Sequence, residues 1–201
     1  MKLYITPGSP YARMARIVVL EKRLQDRVEV IVAKTRAADS PYYAINPSGR
    51  VPYLVRDDGI AMEESALICS YLDHLDGKPM LAWPGEQAWE ARRLESLARS
   101  MLDGIAVWGR EIARPANQQS PTVVQHEKDR AQRMADVWER EIGHALMRGQ
   151  LNLIQLTLAC GLGMDVRNAD FRWRPGHPKV SAWYDEFASR PSFRATEPPG
   201  S

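Results

Sequence analysis

Cysteine is nearly missing from this chain, which has two in 201 residues, Cys69 and Cys160. Two cannot staple a small secreted scaffold, and both lie in apolar helical patterns, so they read as buried reduced thiols rather than a disulfide or a metal pair. Charge of one sign is missing as well. Twenty-seven Lys and Arg face twenty-five Asp and Glu, a formal net charge of +2, and eleven of the bases and ten of the acids fall in the first eighty residues. A phosphate backbone or an anionic lipid surface asks for a one-sided basic field, so neither nucleic acid nor membrane is an expected partner. Long apolar runs are absent too. Nothing approaches the ~18 residues of a spanning helix, and the opening Met1-Lys2-Leu3-Tyr4-Ile5-Thr6-Pro7-Gly8 holds too short an apolar stretch for a signal peptide, so a cytoplasmic location is expected. No internal repeat is visible, and low complexity is confined to Pro198 to Ser201.

What remains is ordinary globular composition, 44% hydrophobic and 26% charged, enough to bury a core in one large domain or two small ones. Lys2 to Thr6 reads as a strand stopped by Pro7-Gly8. Ser9-Pro10 then supplies an N-cap and a first-turn proline for a helix to about Leu24, with Ala15, Ile17, Val18, Val19 and Leu20 on its apolar face. Val28, Val30 and Val32 alternate as a second strand. A loose helical piece, Ser40 to Ile45, is closed by Asn46-Pro47-Ser48-Gly49. Tyr53 to Val55 and Ile60 to Met62 flank Asp57-Asp58-Gly59 as an antiparallel hairpin with a three-residue loop. From Ser65, the spacing Ile68, Leu72, Leu75 is helical and ends before Gly77, and Gly77 to Gly85 reads as a linker. Beyond it only helices are predicted: a long one marked by Trp89, Leu94, Leu97, Met101 and Ile105, a second by Val123, Met134, Trp138 and Ile142, an apolar one opened by Asn152 with Gln155 three residues on, and a last one from Val180 to Ala188.

This β-α-β-α-β-β-α unit followed by helices, with Ser9-Pro10 opening the first helix, Asn46-Pro47-Ser48-Gly49-Arg50-Val51-Pro52 before the hairpin, Glu64-Ser65 opening the third helix, and His177-Pro178, Trp183 and Arg190-Pro191-Ser192-Phe193 near the end, resembles the cytosolic glutathione transferases, bacterial serine-type members in particular. The likeness spans residues 2 to about 196. It implies a glutathione transferase fold: an α/β thioredoxin-like N-terminal domain over residues 1–77 that binds glutathione, and an all-α C-terminal domain over residues 86–196 that forms the electrophile pocket. It also implies a cytoplasmic homodimer with a role in detoxification. Glutathione is the implied co-substrate, a hydrophobic small molecule its acceptor, and no metal is called for.

A thiol is mostly protonated at neutral pH, and the thiolate is what attacks, so an enzyme using glutathione must stabilise the anion. By the resemblance Ser9 does this, its hydroxyl donating at a helix N-terminus that already favours negative charge. Tyr4 and Tyr11 are rival hydroxyls, and Tyr11 is also placed in the electrophile pocket with Met101 and Trp108. No cysteine stands in the first turn, so a mixed-disulfide mechanism lacks its nucleophile. Val51-Pro52 matches the family's cis-proline turn, whose backbone pairs with the cysteinyl part of glutathione. Glu64 and Ser65 match the residues that hold its γ-glutamyl end, and Lys34 and Arg50 those that meet its glycyl carboxylate. The expected reaction is conjugation to an electrophilic carbon. Other glutathione-dependent chemistry (peroxide reduction, isomerisation, dehalogenation or ether cleavage) and a non-catalytic binding module stay open as alternatives.

Overall fold

A strand stopped by proline and glycine and followed at once by a capped helix is what residues 2–21 predict and what they form. The computed structural model describes residues 1–81 and 85–199. In it β1 (Lys2–Ile5) is followed by α1 (Pro10–Glu21), with Ser9 as N-cap and Pro10 in the first turn. The helix closes at Glu21 rather than near Leu24, because Arg23 turns to φ 53° and ends the run. Then come β2 (Glu29–Val32), the one-turn α2 (Tyr42–Ile45), β3 (Tyr53–Val55), β4 (Ala61–Glu63) and α3 (Ser65–His74). The sheet order is β2-β1-β3-β4, with β2 parallel to β1 and the other pairs antiparallel. The hairpin loop is wider than expected: Asp58 Oδ1 takes the N–H of Ile60, whose carbonyl accepts from Arg56 N, and β4 begins one residue later, at Ala61. Leu3, Leu54, Met14, Ile17, Val18, Ile68, Cys69 and Leu72 build a core between the sheet and α1 and α3.

A buried ion pair fixes the exit of α3. Lys22 Nζ lies 3.3 Å from Asp73, which is fully buried, 2.8 Å from Asp76 and 2.7 Å from the carbonyl of Lys78. Asp73 also accepts the backbone N–H groups of Met80 and Leu81. Residues 82–84 of the expected linker lie outside the described residues, as do Gly200 and Ser201 of the tail.

The second unit holds α4 (Gln87–Ile112), α5 (Pro121–Glu141), α6 (Leu153–Leu162) and α7 (Pro178–Ala188), with single 3₁₀ turns at Ala116–Gln118, Ala145–Met147 and Gly163–Arg167. The buried stripe of α4 runs through Ala91, Leu94, Ala98, Met101, Ile105 and Trp108. Trp89 is not on it. Two residues before Ala91 it points to another face of the helix, and it is 74% exposed. α6 is the central helix, buried on every side from Ile154 to Leu162. Asn152 caps it by accepting from Gln155 N at 3.1 Å, yet the Gln155 side chain does not reach back to Asn152 N as in a reciprocal capping box. Gln155 Nε2 and Asn152 Nδ2 both donate to the carbonyl of Leu146, because an amide, unlike a carboxylate, has N–H groups to place. Glu139 of α5 accepts the leading N–H groups of α7, and the buried His177 ring bonds to Asp136 and to the carbonyl of Trp173.

The domain boundary expected at residue 196 is displaced. α8 (Pro191–Arg194) and the residues to Pro199 belong to the first unit. Arg13, 3% exposed on α1, draws them in: its guanidinium donates to the carbonyl of Phe193 at 2.8 Å and stacks on that ring at 3.6 Å, while Thr196 takes a longer bond at 3.4 Å. The architecture is a thioredoxin-like α/β unit and an all-α unit, as the resemblance implies.

Candidate functional site

Sheet register brings the expected site residues of the first unit to one end of it. β1 and β2 run parallel and end level, Ile5 beside Val32, so the Ser9 turn and Lys34 leave the same edge. β3 runs the other way and begins there, Tyr53 opposite Tyr4, which puts Val51 and Pro52 just beyond the ladder at that end. β4 pairs Glu63 with Tyr53, so Glu64 and Ser65 follow immediately. Four loops that are far apart in the chain therefore open on one rim.

Ser9 has extended backbone angles, φ −83° and ψ 120°, and its Oγ accepts the N–H of Ala12 at 3.2 Å. In that bond the hydroxyl is the acceptor, so its own proton remains to be donated. Capping the helix and holding an anion are thus compatible roles for one oxygen. Tyr11, half-buried in the first turn of α1, carries a second hydroxyl. Tyr4 packs instead, its ring centroid 5.6 Å from that of Tyr42.

The Val51-Pro52 peptide is cis, as the resemblance implies. The preceding turn is built to hold it in place. Asn46 Oδ1 accepts the N–H of Ser48, Gly49 turns at φ 65°, and Asn46 Nδ2 and the Tyr42 hydroxyl both donate to the carbonyl of Arg50, at 2.9 and 2.6 Å. A β-carbon at Gly49 would meet the Tyr43 ring at 2.6 Å. Burial pushes the Tyr42 phenol above its ordinary range, keeping it a donor. Asn46 and Tyr42 are positioning residues that the sequence reading passed over. The signal was there in the Asn-Pro-Ser-Gly turn, read as a helix stop and as part of the family's motif but not as the support of the Arg50 carbonyl. The side chains of Lys34 and Arg50 are exposed on this rim.

At the start of α3 the arrangement differs from the expectation. Glu64, at φ 80°, folds its own carboxylate back over the helix, and Oε2 accepts the N–H groups of Ala66 and Leu67 at 3.0 and 3.1 Å. The hydroxyl of Ser65, itself 2% exposed, donates to Glu64 Oε1. The helix end expected to receive a ligand carboxylate already carries one from the chain, held in a backbone conformation that costs a non-glycine residue strain. Next to it, Ser48 donates to Glu63 at 2.6 Å.

Of the residues expected to line an electrophile pocket, Met101 is 1% exposed, packed in the core of the helical unit, and offers no surface to an acceptor. Trp108, equally buried, borders a cavity enclosed by residues of that unit alone. Both follow from the helical spacing of Leu94, Ala98, Met101, Ile105 and Trp108, which makes one inward stripe. Among the described residues no group of three or more His, Cys, Asp or Glu stands close enough to hold a metal ion, and no helix is long and apolar enough to cross a membrane.

A sheet rim that combines a serine-capped helix start, a cis-proline turn and a second helix start defines a thioredoxin-like α/β unit, joined to a helical one. Comparison with known proteins gives the class its name. Residues 3–80 match the glutathione S-transferase N-terminal domain. Over 202 aligned residues, 99% of both chains, the sequence is 32% identical to the uncharacterized GST-like protein YibF of Escherichia coli. A glutathione transferase family member from Pseudomonas fluorescens, solved with S-(propanoic acid)-glutathione bound, superposes with a TM-score of 0.86 at 31% identity over 99% of this chain and all of the other. The same bacterium's family member with glutathione bound gives 0.87 at 30% identity over 98% of each chain. The chain belongs to the glutathione transferase family.

Proposed function

We propose that the chain is a serine-type glutathione transferase, in which the thiolate of bound glutathione attacks an electrophilic carbon of a hydrophobic acceptor. The carrying observation is Ser9: it caps α1 as an acceptor, keeps a proton to give, and stands where the N-terminal N–H groups of a twelve-residue helix favour an anion. A hydrogen bond to a charged group is worth about 1.5 to 3 kcal/mol, enough to lower a thiol pKa by about one to two units. The sulfur then forms the new C–S bond with its own electron pair, the leaving group departs with the pair it shared with carbon, and no protein atom becomes covalent.

In this reading the backbone of Val51, ahead of the cis peptide, pairs with the cysteinyl segment, and Lys34 and Arg50 face the glycyl carboxylate. At α3 one carboxylate replaces another: Glu64 releases Ala66 and Leu67 and turns to the ligand's ammonium, while Ser65 and the freed N–H groups take the γ-glutamyl carboxylate. Tyr11 borders the acceptor. The relatives solved with glutathione or its conjugate support the ligand class. Two free buried cysteines fit a reducing cytoplasm, where such an enzyme detoxifies electrophiles.

The test is calorimetry with glutathione, followed by kinetics of Ser9→Ala with a halogenated aromatic acceptor. Millimolar glutathione is expected to give heat with both proteins. The variant loses about tenfold or more in kcat at neutral pH, and its thiolate absorbance appears at higher pH. Absence of heat leaves a binding module without this ligand, and an unchanged pH profile in the variant removes Ser9 from the mechanism.

A further inference from the structure

The start of α2 ties down two loops that come from different parts of the chain. Ser40, 6% exposed, donates its hydroxyl to the carbonyl of Lys34 and accepts the N–H of Tyr42 at 3.2 Å. Tyr42, 3% exposed, lays its ring against Tyr4 and donates its own hydroxyl to the carbonyl of Arg50, which Asn46 Nδ2 also reaches. Between Lys34 and Ser40 the chain turns at Arg36, φ 63°, and closes with Ser40 N on the carbonyl of Ala37 at 3.2 Å. A non-glycine residue keeps such a conformation only where its surroundings enforce it, and Ser40 bonds to the chain on either side of that turn.

The two ties share the residue type at the far end. Lys34 and Arg50 are cations, both exposed on the rim, and among the described residues neither side chain has a hydrogen-bond or ion-pair partner. Each charged end is therefore free while the carbonyl at its root is held from inside by a buried hydroxyl. The N–H of Arg50 is held as well, by Ser48 Oγ at 3.2 Å. Fixing the root of a long side chain removes freedom that a bound ligand would otherwise have to remove, so the same cation binds more tightly.

We propose that Ser40 and Tyr42 are positioning residues that hold Lys34 and Arg50 at a set spacing for one ligand carboxylate, and that this spacing makes the site select thiols whose glycyl end carries a free carboxylate. The inference rests on the proposed function, in which those two cations meet the glycyl carboxylate of glutathione. Held in place, they meet it with charge-assisted hydrogen bonds that an ester does not return.

Calorimetry of the full chain compares glutathione with its monoethyl ester, the same molecule with the glycyl carboxylate blocked. The parent is expected to bind glutathione about tenfold more tightly than the ester. Ser40→Ala and Tyr42→Phe each reduce that preference to about threefold, and together they remove it. The contacts of Val51 and Glu64 are common to both ligands, so loosening them, or destabilising the fold, weakens the two alike and leaves the ratio unchanged. Neither substitution alters charge, so a diffuse positive field would leave it unchanged too. Lys34→Met/Arg50→Met is expected to abolish the preference. A parent-like ratio in Ser40→Ala/Tyr42→Phe, with the ratio lost in Lys34→Met/Arg50→Met, overturns the positioning role and leaves the two cations as ligand contacts. A parent that binds ester and acid equally, or a preference that survives in Lys34→Met/Arg50→Met, overturns the glycyl contacts and this proposal with them. Absence of heat from millimolar glutathione overturns the reading of the whole rim.

Discussion

A serine that accepts one hydrogen bond still has a proton to give, and the proposed mechanism uses that asymmetry at Ser9. Asp165 shows the opposite case, a group set against its own charge. Its carboxylate accepts from Trp173 Nε1, but burial outweighs that bond and raises its pKa. A pKa raised on folding means that the native state holds the proton more tightly than the unfolded chain. Asp165 therefore contributes fully below its unfolded pKa, and the contribution is lost as pH rises through the folded value. Asp165→Asn keeps an acceptor for Trp173 and removes the charge. Urea denaturation is expected to find this variant at least as stable as the parent at pH 7, with its advantage shrinking as the solution is acidified towards the carboxylate range. A variant less stable than the parent at pH 7 contradicts the assignment.

Between elements, two devices hold the first unit in shape, and neither is a hydrophobic stripe. Lys22, just past the end of α1, has a side chain 4% exposed and bonded to Asp73 and Asp76 of the α3 end. Removing it leaves the fully buried Asp73 without a cation, although the N–H groups of Met80 and Leu81 remain to it. Lys22→Met is expected to cost on the order of 3 kcal/mol of unfolding free energy, the scale of a broken buried pair. The double variant Lys22→Met with Asp73→Leu should recover part of that loss, because no buried charge is then orphaned; equal stability of Lys22→Met and the parent excludes the pair as a stabilising contact. Arg13 is the second device, binding α8 through neutral acceptors and the face of Phe193.

At the scale of the whole molecule, large apolar side chains remain in water on both units: Ile60 and Leu67 on the first and Trp89 on the second. The homodimer that the family resemblance implies would cover such surface. Sedimentation is expected to give twice the chain mass for the parent at micromolar concentration, and Leu67→Glu with Trp89→Glu to give monomer, both being exposed and free to accept charge without disturbing a core. A parent that sediments as monomer removes the dimer.

The sequence by itself determined what rests on neighbours in the chain. The strand before Pro7-Gly8, the Ser9 cap, the Asn46 turn, the helical start at Ser65 and the apolar α6 all declare themselves through short-range hydrogen bonding and periodicity, which act over three or four residues. Tertiary structure decided the rest, because it depends on partners that spacing does not encode. Register alone brings the Ser9, Lys34, Val51 and Glu64 loops to one rim. The Glu64 carboxylate chooses its own helix end, Gln155 turns to Leu146 rather than back to Asn152, and buried Arg13 returns residues 191–199 to the first unit. Gln155 and Arg13 are buried polar groups that had to find a complement, and where that complement lay was set by packing rather than by distance along the chain.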